Sequence, residues 1–303
     1  MKKGTRTIGT LRFNKGRIAL RNLDIAAFQD IEVETECADV GEDPERKPII
    51  RYVDRENLFT VLFSDPALAY IDGELFRNEA MLDGGDNFLR HLIPVAELAN
   101  ATSEKGDFAT DSTAFSESSV FRILVDTIAH QDDILVCDDL GDEWADFIGL
   151  NTQSRPPSIN FYHGKHGNVS LGASDFHVAV SQAQKNLGRL ELRAADIEQK
   201  SISWSQTYES GSGVKTQITK VVRGGSITAI QSRIGEIRAA PDAARRVYIV
   251  TSSLSKAAVE QTFATLATGT KPKPYFVQLY WLLTGYYSQC ADMGAVGFVI
   301  CRP

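Results

Sequence analysis

The stretch that most constrains the fold of this chain runs from Ile134 to Lys165, where three short apolar runs lie between charged and turn-forming residues. The runs are ILVC, DFIGL and INFY, and the breaks between them fall at Gly141 and at the Pro156-Pro157 pair. Short apolar runs bounded by glycine and proline predict three adjacent β-strands. The rest of the chain is therefore expected to pack around a small central sheet.

Charged side chains on the second and third of these strands are expected to meet at one edge of the sheet. Asp146 lies between Ala145 and Phe147, where burying a carboxylate is costly. His163 and Lys165 are two residues apart, so they share one face of the third strand, because strand side chains alternate. Burying such groups without partners costs several kcal/mol, so a metal ion or an anionic substrate is expected at this edge.

The length of the chain allows two domains. It has 303 residues, of which 43% are hydrophobic and 23% charged, so each of two domains can have its own core. Residues 1–110 contain mostly short runs of mixed alternation, and Asp72-Gly73 is a strong hairpin signal between two of them. We therefore expect a smaller β-rich domain over residues 1–110, for partner docking or an accessory role, and an α/β domain over residues 111–303.

Helical patterns flank the three predicted strands. A helix is expected to begin at Ser116, which can cap it, and a second to run from about Ala173 to Leu187. On the second helix, Gln182 and Lys185 share one polar face because they are three residues apart. The order helix, three strands, helix and later strand predicts an α/β fold around a mixed sheet.

Three further segments carry structural expectations. Residues 87–101, NFLRHLIPVAELANA, have a helix-like pattern in which the proline starts or kinks a turn. Residues 101–115 are rich in Ser, Thr, Asp and Gly, which is typical of a linker. The run IIRYV at residues 49–53 is expected to be a strand.

The two parts of the chain differ in charge. The net charge of the whole chain is −7, but residues 1–150 carry 15 Lys and Arg against 30 Asp and Glu, whereas residues 151–303 carry 17 against 9. The second part is thus net positive and is the one suited to face a polyanion. A basic surface beside an acidic site is typical of proteins that act on phosphodiesters, so contact with nucleic acid is expected there.

Several classes of protein are disfavoured by the sequence. No apolar run approaches the length of a membrane span, and the two N-terminal lysines are not followed by an apolar stretch, so we expect a cytoplasmic location and no membrane contact. The glycine-bearing runs lack the spacing GxxxxGK[ST], which argues against an ATP site. The four cysteines lie far apart, which argues against structural zinc and disulfides and indicates reduced core residues. They are Cys37, Cys137, Cys290 and Cys301.

Residues 113 to about 190, and more loosely the remainder of the chain, resemble the PD-(D/E)xK restriction-endonuclease-like superfamily. Proteins of that family have an αβββαβ core with a mixed sheet, an acid on the second strand and (D/E)xK on the third. Here EWAD at residues 143–146 and HGK at residues 163–165 match that pattern. The run DDLGDEWADFI, then FYHGK, then the SQAQKNL helix is similar to nuclease modules attached to, or encoded beside, helicases in prokaryotic anti-phage defence.

The resemblance implies a metal-dependent nuclease, with DNA favoured over RNA and a helicase on another chain as the expected protein partner. Magnesium or manganese would be held by Glu143, Asp146 and His163. Lys165 would orient the attacking water or stabilise charge in the transition state, and Gln182, also a catalytic candidate, would contact the phosphate backbone together with Lys185 and Lys165.

The sequence departs from the family pattern at His163, which replaces the third-strand acid. Either Glu143 supplies the missing carboxylate, or the protein has lost catalysis and only binds nucleic acid. A third hypothesis is a protein-interaction subunit whose acidic β-rich part docks a partner. Among the acids near Asp146, at least two are expected to be solvated turn residues; the set is Asp138, Asp139, Asp142 and Glu143.

Overall fold

The computed structural model of this chain divides into two compact units, Met1–Leu82 and Asp83–Pro303. Its described residues are 9–34, 44–63, 68–77, 81 and 85–303, and Cys37 lies outside them. The other three cysteines are free and buried, as predicted.

The first unit is built from short antiparallel strands and one helix. These are β1 (Thr10–Phe13), β2 (Ile18–Arg21), β3 (Glu32–Glu34), β4 (Arg46–Pro48), α1 (Ile49–Arg55), β5 (Val61–Leu62), β6 (Leu68–Ile71) and β7 (Glu74–Arg77). The predicted hairpin at Asp72-Gly73 joins β6 to β7, and both turn residues have positive φ, 51° and 85°. Such angles match a tight two-residue hairpin turn.

The strand predicted for residues 49–53 is wrong, because these residues begin α1. A long-range contact of Asp54 competes with the strand propensity of the isoleucines and valine. The Asp54 carboxylate accepts hydrogen bonds from the Arg17 guanidinium at 2.8 Å and from the Leu20 N–H at 2.7 Å. Tertiary contacts of this kind override local propensity.

The second unit is an α/β structure with a seven-stranded mixed sheet. Its elements are α2 (Asp86–Arg90), β8 (Leu92–Pro94), α3 (Val120–Ile123), β9 (Ile134–Cys137), β10 (Phe147–Asn151), β11 (Ser158–Lys165), α4 (His177–Lys185), α5 (Ala194–Trp204), β12 (Thr207–Glu209), β13 (Lys215–Thr219), β14 (Val221–Arg223), α6 (Ile227–Ala239), β15 (Ala244–Ser255), α7 (Lys256–Ala267), α8 (Pro274–Asp292) and β16 (Ala295–Arg302).

The strand order in the sheet is β14-β9-β10-β11-β15-β16-β8. Neighbours from β14 to β11 are antiparallel, and those from β11 to β8 are parallel. The three strands predicted between Ile134 and Lys165 are confirmed as β9, β10 and β11. Every residue of β9 is buried, as expected for a strand covered on both faces.

The helix-like segment predicted over residues 87–101 is helical at both ends but is interrupted by a strand at residues 92–94. Residues 86–90 form α2, but Leu92–Pro94 pair with β16 as an edge strand, and Ala96–Asn100 form a 3-10 helix. Proline is tolerated at the edge of a sheet because its missing N–H leaves no central hydrogen bond unmade. Since β8 completes the sheet, the structure puts the division between units after Leu82, earlier than the boundary predicted at residue 110.

The helix predicted from Ser116 begins four residues later, at Val120. Ser119 caps it, because its hydroxyl accepts a hydrogen bond from the Arg122 N–H at 3.1 Å. The helix continues as a π-helical segment, Leu124–Ile128. This helical stretch packs on the sheet through T-shaped ring contacts, including Phe121 against Phe147 with centroids 5.0 Å apart.

Within the described part of the chain, no helix combines the length and the apolar character that crossing a bilayer requires.

Candidate functional site

Three carboxylates converge in the loop between β9 and β10, and we call them the acidic cluster: Asp139, Glu143 and Asp146. Each offers one oxygen, and these oxygens lie within 4.8 Å of one another. Asp139 and Asp146 are buried, with 2% and 6% of their surface exposed, and Glu143 is half-buried. Three hard oxygen donors at this spacing are the ligand type that Mg²⁺ and Mn²⁺ prefer.

Asp146 is held at the start of β10 by the two neighbouring strands. Its N–H donates to the Tyr162 carbonyl at 3.0 Å, and its carbonyl accepts from the Asp138 N–H at 2.9 Å. Its carboxylate accepts from the Gly164 N–H at 2.6 Å. The Asp146 carboxylate thus contacts the backbone of the HGK segment on β11, at Gly164.

The Asp146 carboxyl is strained electrostatically in its ionised form. Burial raises its pKa well above the ordinary value, and the charge of Asp139 raises it further, while the Gly164 N–H and the Lys105 ammonium oppose this change. A buried carboxylate next to a like charge favours either a proton or a cation as a partner. The acidic cluster therefore has the electrostatic character of a cation site.

Asp139 is fixed by two partners that the sequence did not reveal. The Lys105 ammonium donates to both oxygens of Asp139, at 2.9 and 2.7 Å, and the Tyr208 hydroxyl donates at 2.8 Å. Burial lowers the pKa of Lys105, but the ion pair with Asp139 outweighs it, so the net pKa is raised and the ammonium stays charged. Lys105 lies in the segment predicted to be a linker, and no local pattern marks it as part of a site.

Lys165 lies at the same end of β11, one residue after the glycine that contacts Asp146. Its ammonium is 2.8 Å from the Glu104 carboxylate, which is also 3.9 Å from the Lys105 ammonium. The structure therefore pairs Lys165 with Glu104, and a second amine, that of Lys105, makes the direct contact with the acidic cluster.

His163 is not among the described residues that form the acidic cluster. It is 2% exposed, and within the described part of the chain its Nε2 has no hydrogen-bond partner. Burial and, to a smaller extent, the positive charge of Lys185 lower its pKa to about 3, so the imidazole is neutral at physiological pH. The side chain predicted as a third metal ligand is thus not a member of the acidic cluster, which contains Asp139 instead.

The polar face of α4 reaches the acidic cluster through Glu143. The Gln182 amide donates to the Glu143 carboxylate at 3.4 Å, and the Lys185 ammonium is 3.7 Å from the same oxygen. Lys185 keeps 56% of its side chain exposed. The structure therefore brings Gln182, Lys185 and the acids together, with one exposed cation facing solvent beside them.

The expectation that at least two of the neighbouring acids are solvated is wrong. Asp142 has 76% of its side chain exposed, but Asp138 is 2% exposed, like Asp139. The Asp138 carboxylate accepts hydrogen bonds from the Lys200 ammonium at 3.0 and 2.8 Å and from the Trp204 indole at 2.7 Å. A buried acid with this many donors is structural, and it anchors α5 to the loop that carries the cluster.

No protein-family model, no curated protein and no solved structure matches this chain.

Proposed function

We propose that this chain is a divalent-metal-dependent phosphodiesterase that cuts DNA at the acidic cluster. The observation that carries the proposal is the convergence of three carboxylate oxygens within 4.8 Å of one another at the edge of the sheet where amines also gather. Acids that cost stability when buried together are retained at functional sites.

The order of the elements around the cluster supports the proposal. A helical segment (α3) is followed by the antiparallel strands β9, β10 and β11, then by α4, and later by β15, which is parallel to β11. This is the αβββαβ order that the resemblance implies, with further elements between α4 and β15. The acidic cluster lies in the loop between the first and second of these strands, and Asp146 contacts the third strand through the Gly164 N–H.

The carboxylates fit a divalent ion. With bonds of ~2.1 Å, ligand oxygens of one Mg²⁺ are about 3.0 Å apart when adjacent and about 4.2 Å apart when opposite, so three oxygens within 4.8 Å of one another need shifts of less than about 1 Å each. In the family pattern a third-strand acid is a metal ligand, and this chain has His163 at that position. Asp139 and Glu143 would supply the carboxylates that the third strand lacks. When bound, the ion would polarise the phosphate and lower the pKa of a coordinated water.

The chain's own residues have distinct tasks in this proposal. The Gly164 N–H fixes the Asp146 oxygen, and Gln182 orients Glu143. Lys105 and Lys165 place two ammonium groups beside the cluster, where negative charge grows on the phosphate oxygens during attack by water. When substrate binds, the Lys165 ammonium would leave its ion pair with Glu104 and contact a phosphate oxygen instead.

A plasmid-nicking assay tests the proposal. Supercoiled DNA is incubated with the chain in Mg²⁺, in Mn²⁺ and in EDTA, and the wild type is compared with Asp146→Asn and Lys165→Met. We expect nicking with either metal, none in EDTA, and a loss of at least about a hundredfold in Asp146→Asn, because a negatively charged metal ligand becomes a neutral amide. Asp142→Asn is the matched control, since it changes an exposed acid of the same loop.

Three outcomes bear on the competing hypotheses. Full activity in both Asp146→Asn and Lys165→Met would reject the assignment. Salt-dependent DNA binding without nicking in either metal would favour a nucleic-acid-binding protein of the same fold. Binding of a protein partner that needs only residues 1–82, without any effect on DNA, would favour the interaction subunit.

A further inference from the structure

A cavity of about 340 Å³, with a mostly apolar surface and several polar groups, lies over β11 and β15. Asn160 in its lining is four residues from Gly164, which corresponds to about 13 Å of strand, so the cavity is separate from the acidic cluster. Its main polar groups come from Asp132, Ser158, Asn160, Tyr162, Arg246 and Tyr248.

This face of the sheet is polar where a central strand is normally apolar. Ser158, Asn160 and Tyr162 alternate along β11 and are 1%, 3% and 4% exposed. The parallel register sets Asn160 opposite Arg246 and Tyr162 opposite Tyr248 on β15. Polar side chains buried on a central strand are costly unless each has a partner, so this surface calls for a ligand or a satisfied network.

The network within the cavity is incomplete. The Asp132 carboxylate, 4% exposed, accepts from the Asn160 amide at 2.7 Å and from the Tyr162 hydroxyl at 2.7 Å. Each carboxylate oxygen has room for a second donor. Within the described part of the chain the Asn160 carbonyl oxygen is buried without any donor. Adjacent acceptors therefore lack the N–H groups that would satisfy them.

Two features of the backbone indicate that the position of Asp132 in the cavity is specific. A Cβ at Gly149 would lie 1.9 Å from an Asp132 oxygen, so only glycine lets this carboxylate reach the sheet. The loop that carries Asp132 follows the π-helical segment Leu124–Ile128, and π-helical turns occur frequently at functional sites.

The hydrogen-bonding pattern identifies the class of ligand. The two oxygens of Asp132 offer neighbouring acceptors, and Arg246, which also lines the cavity, offers a donor. Guanine presents the complementary edge, with the O6 acceptor beside the N1–H and N2–H donors. A guanidinium ligand offers donors only, and the positive charge of Arg246 opposes it. Adenine fits less well, because its N1 is an acceptor and carries no hydrogen to donate to the carboxylate.

We propose that this cavity binds the guanine base of a nucleotide, with the two Asp132 oxygens accepting from its N1–H and N2–H groups. A cavity of about 340 Å³ is at the small end of ligand pockets, which suits one base with its sugar. The base can belong to a free nucleotide or to a single-stranded nucleic acid, and both sources present the same edge.

Calorimetric titration in EDTA tests this proposal without hydrolysis, so its outcome is independent of the nuclease proposal. The probes are guanosine, inosine and adenosine monophosphates. We expect binding of guanosine monophosphate and a loss of at least about tenfold with inosine monophosphate, which lacks the 2-amino donor to the site. Adenosine monophosphate is expected to bind more weakly still. Equal affinity for all three, or binding of none at millimolar concentration, would overturn the proposal.

Variants locate the binding in the cavity. Asp132→Asn and Arg246→Met should each weaken binding of guanosine monophosphate at least about tenfold, with the fold checked by circular dichroism. Asp133→Asn is the matched control, because that carboxylate bonds the Thr152 backbone and hydroxyl outside the cavity. Unchanged affinity in both cavity variants would also overturn the proposal.

A second arm distinguishes the two sources of the base. A short oligothymidylate carrying one central guanine is compared with the same oligonucleotide without it. Tighter binding of the guanine-containing strand than of guanosine monophosphate indicates recognition within nucleic acid, whereas the reverse order indicates a free nucleotide. Loss of the preference in Asp132→Asn is expected in either case.

Discussion

Asp132→Asn is expected to reverse its effect on stability between acid and neutral pH. Burial raises the pKa of the Asp132 carboxyl to about 6, although the hydrogen bonds from Tyr162 and Asn160 lower it. In the unfolded chain the pKa of an aspartate is about 3.9. Between these two values the folded state binds more protons than the unfolded state, so the free energy of unfolding falls as the pH rises from about 4 to about 6 and is level above that.

The magnitude follows from the change in pKa. About two pKa units at about 1.4 kcal/mol each give about 3 kcal/mol of destabilisation at pH 7. Asparagine cannot ionise, but it keeps one carbonyl oxygen for two donors, which costs roughly 1–2 kcal/mol at any pH. Asp132→Asn should therefore be less stable than the wild type by about 1–2 kcal/mol near pH 4 and more stable by about the same amount at pH 7.

Urea unfolding followed by circular dichroism, at a series of pH values between 4 and 7, measures this difference. Using the difference between the two proteins cancels the titration of distant acids, including the acidic cluster. A difference between variant and wild type that is constant over this range would refute the reasoning. If the variant is more stable at neutral pH, the wild-type chain keeps a destabilising carboxylate in a cavity, as functional sites do.

Two further predictions concern buried groups. Lys200→Met leaves the Asp138 carboxylate buried without its ammonium partner and should lower the free energy of unfolding by about 3–5 kcal/mol, whereas Arg193→Ala, with 72% of its side chain exposed, should change it by less than about 0.5 kcal/mol. Equal urea midpoints for these two variants would contradict this. Gly149→Ala places a methyl 1.9 Å from the Asp132 carboxylate and should destabilise the fold by roughly 1–3 kcal/mol, and an unchanged midpoint would show that the loop carrying Asp132 yields freely.

Local sequence patterns predicted the parts of the structure that depend on near neighbours. The three strands from Ile134 to Lys165 follow from apolar runs with breaks at glycine and proline, and the hairpin at Asp72-Gly73 follows from turn chemistry. Local patterns gave wrong predictions where a segment pairs with residues that are distant in the sequence. Residues 92–94 have a helix-like pattern but form an edge strand, because β16 offers them a free edge.

The candidate site shows the same division. Glu143, Asp146, Gln182 and Lys185 were found from the sequence, since each has a recognisable position on a strand, loop or helix face. Lys105 was missed, because its contact with Asp139 joins residues 34 positions apart along the chain.

The sequence by itself determined the central strands, the two-part charge distribution and the stretch in which acids gather. Only the tertiary structure decided which of those acids meet, because burial and ion pairs depend on segments that are remote in the chain. In the tertiary structure Asp138 forms an ion pair with Lys200, whereas Asp139 lies beside Asp146 in the acidic cluster. His163 is not a member of that cluster. Alternation along a strand fixes which face a side chain takes, but the partner on that face comes from the packing of other elements.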